Sequence, residues 1–228
     1  MSKQPSFAIN LPPFKEIYRD LFIVKDPTII SLALINLATI YIAYTEKWNV
    51  FGILWIYWAQ SISIGIISSI KILTIRTKEK LSWSEIISSA FLLQFILSFT
   101  HFVYAVFIFI LSIAYHADPM VIMLAFSSTS IGFFLNHLFS LLYHRRFDKD
   151  PNEDLATLRN APMIRIFPMH ITLMLGVGLL LLKKANIPLI GDIALTGNIL
   201  ILFMLLKTYV DLAAHVNEHK QPSPKNLP

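Results

Sequence analysis

The chain contains no cysteine. Disulfides, thiolate metal sites and cysteine nucleophiles are therefore excluded at once. Charge is scarce as well: Asp, Glu, Lys and Arg make up 14% of 228 residues, where a soluble domain carries roughly a quarter. A short apolar core followed by small residues, the mark of a cleavable signal peptide, is missing from polar residues 1–27. The first apolar segment is thus expected to be a membrane helix itself. No internal repeat is visible, so the inverted-repeat signature of many transporters is absent. There is no His-Glu-x-x-His, no Glu-Glu pair, no Gly-rich phosphate loop and no Asp-rich prenyl-diphosphate motif. The clustered histidine pairs of membrane di-iron hydroxylases are lacking too, since the seven histidines are dispersed.

What the chain has in abundance is apolar runs. It is 55% hydrophobic, with mean hydropathy +0.62. Runs of about 20 residues recur, each long enough to cross roughly 30 Å of hydrocarbon. They predict an all-α, polytopic membrane bundle of six helices at 28–45, 51–73, 86–115, 120–144, 164–182 and 189–215. Residues 1–27 form an N-terminal segment, 28–215 the membrane domain and 216–228 a Pro-rich tail. Lys15 to Lys25 fits either a short amphipathic helix on the membrane surface or a partly ordered tail. Residues 145–163 read as a charged loop with one turn of helix before Asn160.

Lys and Arg set the orientation. Fifteen of the nineteen fall on the side holding both termini and three on the other, with Lys207 inside a span. That bias places the termini in the cytoplasm and the protein, multi-pass, in the cell membrane. It also accounts for the net charge of +5 and pI near 9.4 without a nucleic-acid partner. Arg145, Arg146, Lys78 and Lys80 sit where anionic lipid headgroups lie.

Polar residues line up on several helices. Tyr57, Gln60, Ser68 and Lys71 fall within about 80° of one another at 100° per residue. Gln94, Ser98, His101 and Ser112 fall within about 60°. Lys207, Asp211, His215 and His219 recur every four residues on the last helix, as one slowly turning stripe. The topology puts His101 near the midplane, and Asn136, His137, His170, Lys207 and Asp211 in the cytoplasmic half. His144, His215 and His219 fall at the inner interface. An Asp and a His four apart, with a His from the preceding helix, suit Zn²⁺ or Fe²⁺, and two imidazoles with one carboxylate leave positions open. The expected ligands are His101, His170, Asp211 and His215, supported by Lys207, Asn136, His137 and the hydrogen-bonding wall of Gln60. Such a metal would activate water or oxygen against a lipid-like substrate.

Competing readings use the same residues. Lys207 and Asp211 form an ion pair while His215 and His219 are solvated. His101 is a neutral histidine bonded between helices. His101 and His170 ligate heme only if their depths match. A retinal Schiff base at Lys207 calls for seven spans. Ser127-Ser128-Thr129-Ser130 is a run of packing hydroxyls or a nucleophile site. At the level of function, the alternatives are a non-catalytic accessory subunit of a larger membrane complex, a homo-oligomer, and a small-solute transporter.

Several stretches carry a resemblance. These are Trp58-Ala59-Gln60-Ser61 with Gly65, Phe133-Phe134-Leu135-Asn136, Arg165-Ile166 with His170 and Gly176, and Lys207-Thr208 with Asp211 and His215. In this order they resemble an uncharacterised family of polytopic prokaryotic membrane proteins, a domain of unknown function. The resemblance implies an acid at Gln60 and further histidines near Leu93 or Gln94 and near Ser128, which this chain lacks. It implies no activity.

Overall fold

The computed structural model describes residues 14–24, 26–78, 80–147, 153–184 and 197–219. Every element among them is helical. They are α1 (Phe14–Tyr18), a π-helical turn (Arg19–Val24), α2 (Pro27–Thr45), α3 (Val50–Leu73), α4 (Trp83–Ala114), α5 (Pro119–Phe147), α6 (Leu155–Lys184) and α7 (Gly197–His219). Three of them, α2, α3 and α4, are long and apolar enough to cross a membrane. The first eight residues of the expected sixth span and the tail from Lys220 lie outside the described residues.

Local chemistry sets the helix starts. Asp26 caps α2, accepting from the Thr28 N–H, with Pro27 in the first turn, where its fixed φ and missing N–H cost nothing. Ser82 and Glu85 close a reciprocal capping box on α4, so that helix begins three residues before the expected Ile86. Asp154 accepts from the Thr157 N–H and hydroxyl at 2.7 Å. This cap starts α6 at Leu155 and turns the second half of the supposed charged loop into helix. Helical hydrogen bonding then runs past Pro162 and Pro168 to Lys184.

The organising element is α3. It packs against α4, α5 and α6, and Ile53, Leu54, Ile56, Tyr57 and Gln60 are each at most 3% exposed. Around it, α2 rests on α5 and α7, and α6 bridges to α7. Gly65 lets α4 approach, since a Cβ there would stand 3.0 Å from Leu97 Cδ1. By contrast α4 shows most of its surface outward: Phe91, Phe95, Phe99 and Phe102 are 61–70% exposed. An apolar stripe of that extent calls for a non-aqueous surrounding or a partner.

Several buried hydroxyls are satisfied by their own helices. Thr39, Ser63, Ser112 and Thr208 donate to the carbonyl four residues back, as do Ser127 and Ser130. Those two protons are therefore committed to the backbone, which favours the packing reading of the 127–130 run.

One end of the bundle is tied by a polar knot. The Arg76 guanidinium donates to the carbonyls of Arg145 at 3.0 Å and His144 at 3.2 Å. Its backbone N–H reaches Glu153 Oε2 at 2.8 Å, and the Glu153 N–H returns to Arg76 O at 3.0 Å. Arg145 donates to the same Glu153 oxygen at 3.1 Å and to Lys71 O at 3.1 Å. So Arg145 turns inward, while Arg146, Lys78 and Lys80 are exposed. Replacing Gly65 by Leu should force α3 and α4 apart and cost about 1–3 kcal/mol, as overpacking usually does. Thermal unfolding in detergent would show it as a lowered midpoint.

Candidate metal centre

Two polar clusters stand out, both built on α7. The deeper one joins Lys207, Asp211 and Gln60. Lys207 Nζ lies 2.5 and 2.6 Å from the two Asp211 oxygens and 3.2 Å from Gln60 Oε1. Gln60 Nε2 donates to Asp211 Oδ2 at 2.9 Å. The ammonium's three protons meet three acceptors, and it sits 5.7 Å from the centre of the Tyr57 ring. Lys207 is 3% and Asp211 2% exposed, so the pair is dry and self-contained.

The other cluster lies where three helix ends meet. Asp26 caps α2, His144 is in the last turn of α5, and His215 stands one turn before the end of α7. One ligand atom from each lies within 4.8 Å of the other two. The Thr28 hydroxyl is their hub: its oxygen is 2.8 Å from Asp26 Oδ1, 3.1 Å from His144 Nε2 and 2.9 Å from His215 Nε2. A carboxylate only accepts, so Thr28 gives its single proton to Asp26. Its lone pairs then receive Nε2–H protons from the imidazoles. Asp26 Oδ2 is 3.9 Å from His215 Nε2, and the two imidazole centres are 5.9 Å apart.

Asp26, His144 and His215 lie close enough to hold a metal ion. Bonds of roughly 2.0–2.1 Å in a tetrahedral shell set donors about 3.4 Å apart, so the ligands need move only a fraction of an ångström. Thr28 must either turn aside or become the fourth ligand. The helix ends favour such an ion. The positive end of α2 faces the carboxylate, and the negative ends of α5 and α7 face the cation.

The remaining candidates lie elsewhere. His101, 4% exposed, directs Nδ1 to Leu97 O at 2.5 Å and Nε2 to the Ser61 hydroxyl at 2.6 Å. Its own carbonyl accepts from the Trp58 indole at 2.8 Å. His170 is half-buried, bonds through Nδ1 to Ile166 O at 2.9 Å, and packs edge-on against Tyr104 at 4.5 Å. Asn136 Oδ1 accepts from Ser31 at 2.6 Å. His137 lines a cavity of about 20 Å³ with Lys71, Ser140 and Arg165, room for one water. The structure thus brings His215 together with Asp26 and His144, and joins Asp211 to Lys207 and Gln60. The side chain of His219 lies outside the described residues.

A family of unknown function, DUF6498, matches residues 24–227. The chain belongs to DUF6498. No curated protein and no solved structure matches it. All three residues of the metal-capable cluster, and Thr28 at its hub, fall within the part that defines this DUF6498 member.

Two measurements probe these clusters. Lys207→Met strands a buried carboxylate and should cost about 3–5 kcal/mol, while the Lys207→Met, Asp211→Leu double variant should recover most of it. Chemical denaturation in detergent compares them. At Asp26, burial pushes the carboxyl up, but the nearby His215 imidazole, 3.9 Å away, and the hydrogen bonds from the Thr28 N–H and hydroxyl together outweigh it and hold the group well below its ordinary value of 3.8. A depressed value stabilises the fold above the ordinary carboxylate range and is lost as pH falls. From about pH 4 downward, the wild type should therefore lose stability more steeply than Asp26→Asn, read as unfolding midpoint against pH.

Proposed function

We propose that this DUF6498 chain is a multi-pass membrane protein of six spans, with both termini cytoplasmic. In this reading it holds one divalent transition-metal ion, Zn²⁺ or Fe²⁺, at its cytoplasmic mouth through Asp26, His144 and His215. The observation that carries the reading is the convergence of two imidazoles and a carboxylate from three separate helix ends. Exposed aromatic stripes and the fifteen-to-three division of Lys and Arg support the membrane part. Two histidines and one carboxylate leave coordination positions for water, and a bound water there would be acidified toward neutrality. The ion's chemistry would then be open to the headgroup layer. Lys207, Asp211 and Gln60 lie beneath it as a closed ring of three, and His101 and His170 are each bonded through Nδ1 to a carbonyl of their own helix.

A second reading, a non-catalytic subunit of a larger membrane complex, draws on the α4 phenylalanine stripe, which a partner helix can cover as well as lipid. Co-purification under native conditions distinguishes the two.

The test is a metal titration of the intact chain in detergent. One Zn²⁺ or Fe²⁺ per chain should bind. His144→Ala and His215→Ala should each weaken binding at least tenfold, about 1.4 kcal/mol. Full uptake by the His144→Ala, His215→Ala double variant would overturn the assignment.

A further inference from the structure

Upstream of the metal centre, α1 and the π-helical turn have two unlike faces. Ile17, 2% exposed, packs into Ile29, Leu32, Leu212, Ala213 and Val216, binding the segment to the ends of α2 and α7. On another face Phe14, Tyr18 and Phe22 are 68%, 50% and 62% exposed. They recur every four residues, and the Tyr18 and Phe22 rings are 4.9 Å apart. The wider π turn rotates less per residue than an α-helix, which keeps Phe22 in line with Tyr18. Lys15 and Arg19 are exposed beside them; Arg19 donates through Nε to Asp20 Oδ1 at 2.9 Å, which leaves its two terminal nitrogens for an outside anion. The Asp26 N–H donates to Asp20 O at 3.2 Å, so the segment is fastened to the first residue of the metal-capable cluster.

Three bare aromatic rings in a row are unfavourable against water. Their level in the protein is fixed by α2, which starts at Pro27 and is apolar enough to cross a membrane. The stripe therefore lies where a leaflet's headgroups begin. Aromatic rings belong at that boundary, and basic side chains next to them complement anionic phosphates. The segment holds two basic and two acidic side chains, but Lys15 and Arg19 are exposed while Glu16 and Asp20 are half-buried, and this outward bias of positive charge argues for lipid over an apolar protein surface.

We propose that residues 14–24 are an interfacial anchor: Phe14, Tyr18 and Phe22 seat in the headgroup–acyl boundary, and Lys15 and Arg19 engage anionic lipid phosphates. The anchor ends two positions before Asp26. The ligand class set beside the metal centre is accordingly an anionic lipid headgroup. The inference rests on the membrane reading of α2 to α4 and is independent of whether metal is bound.

The absence of cysteine makes the test direct. Phe14→Cys, Tyr18→Cys, Phe22→Cys and, on α4, Phe99→Cys each supply a single thiol for a spin label at an exposed position, where a label displaces no packing. The full chain is placed in nanodiscs of phosphatidylcholine, with or without phosphatidylglycerol. Collisions with lipid-soluble oxygen and with a water-soluble nickel chelate are then compared. All four labels should favour oxygen. Adding Lys15→Gln and Arg19→Gln should raise nickel access at Phe22→Cys at least twofold, only in the phosphatidylglycerol discs. Preference for nickel at 14, 18 and 22 overturns the anchor, as does protection from both agents, which would show a partner protein or a second copy covering the face. No change on neutralising Lys15 and Arg19 overturns the phosphate assignment. The label at 99 separates the two levels: oxygen there with nickel at 22 removes the anchor alone, and nickel at both removes the membrane reading beneath it.

Discussion

A lysine that is 3% exposed has three protons and no water to give them to. Lys207 resolves this by meeting both Asp211 oxygens and Gln60 Oε1. Gln60 comes from α3, while α7 packs on α2 and α6, so the bridge links α7 to α3 through side chains alone and holds only if the two helices keep their register. An amide suits the position. It donates to Asp211 and accepts from Lys207, whereas an unprotonated acid at Gln60 would set two carboxylates around one ammonium. The resemblance implied an acid there, and the geometry shows what its replacement by an amide achieves: a neutral, fully paired ring of three.

The same rule, that polar groups must meet one another where water is scarce, shapes the cluster one turn further along α7. Asp26, His144 and His215 share the single hydroxyl of Thr28. Without an ion, the hydroxyl's one proton and two lone pairs close the network. An ion there would be held by the two Nε2 lone pairs, with each imidazole carrying its proton on Nδ1, and by the Asp26 carboxylate. The carboxylate lies at a helix start and the imidazoles at helix ends, so the backbone fields point the same way as the side chains.

Much of this was legible in the residues. The helical class, the polar stripe on α7 and the i, i+4 pairing of Lys207 with Asp211 follow from spacing alone. The sequence set His215 with Asp211 and His170, whereas the structure sets it with Asp26 and His144. The partners of His215 did not follow. Asp26 reads locally as a helix cap before Pro27, and His144 as the wet end of a long span; only the meeting of α2, α5 and α7 makes them neighbours. The available signal was that both fall at the same membrane face as His215. His101 and His170 each bond within their own helix. A histidine whose Nδ1 bonds the carbonyl four residues back looks, in sequence, like one reserved for a ligand. The start of α6 was hidden because charges and two prolines outweighed a single Asp154 cap.

The knot of Arg76, Arg145 and Glu153 carries a topological consequence. It spans the chain from the end of α3, through the end of α5, to the start of α6, with bonds on both sides of residues 148–152. Covalent continuity across those five positions is redundant with that clasp. Two separately synthesised halves, parted there, have the contacts needed to find each other and reassemble as one bundle.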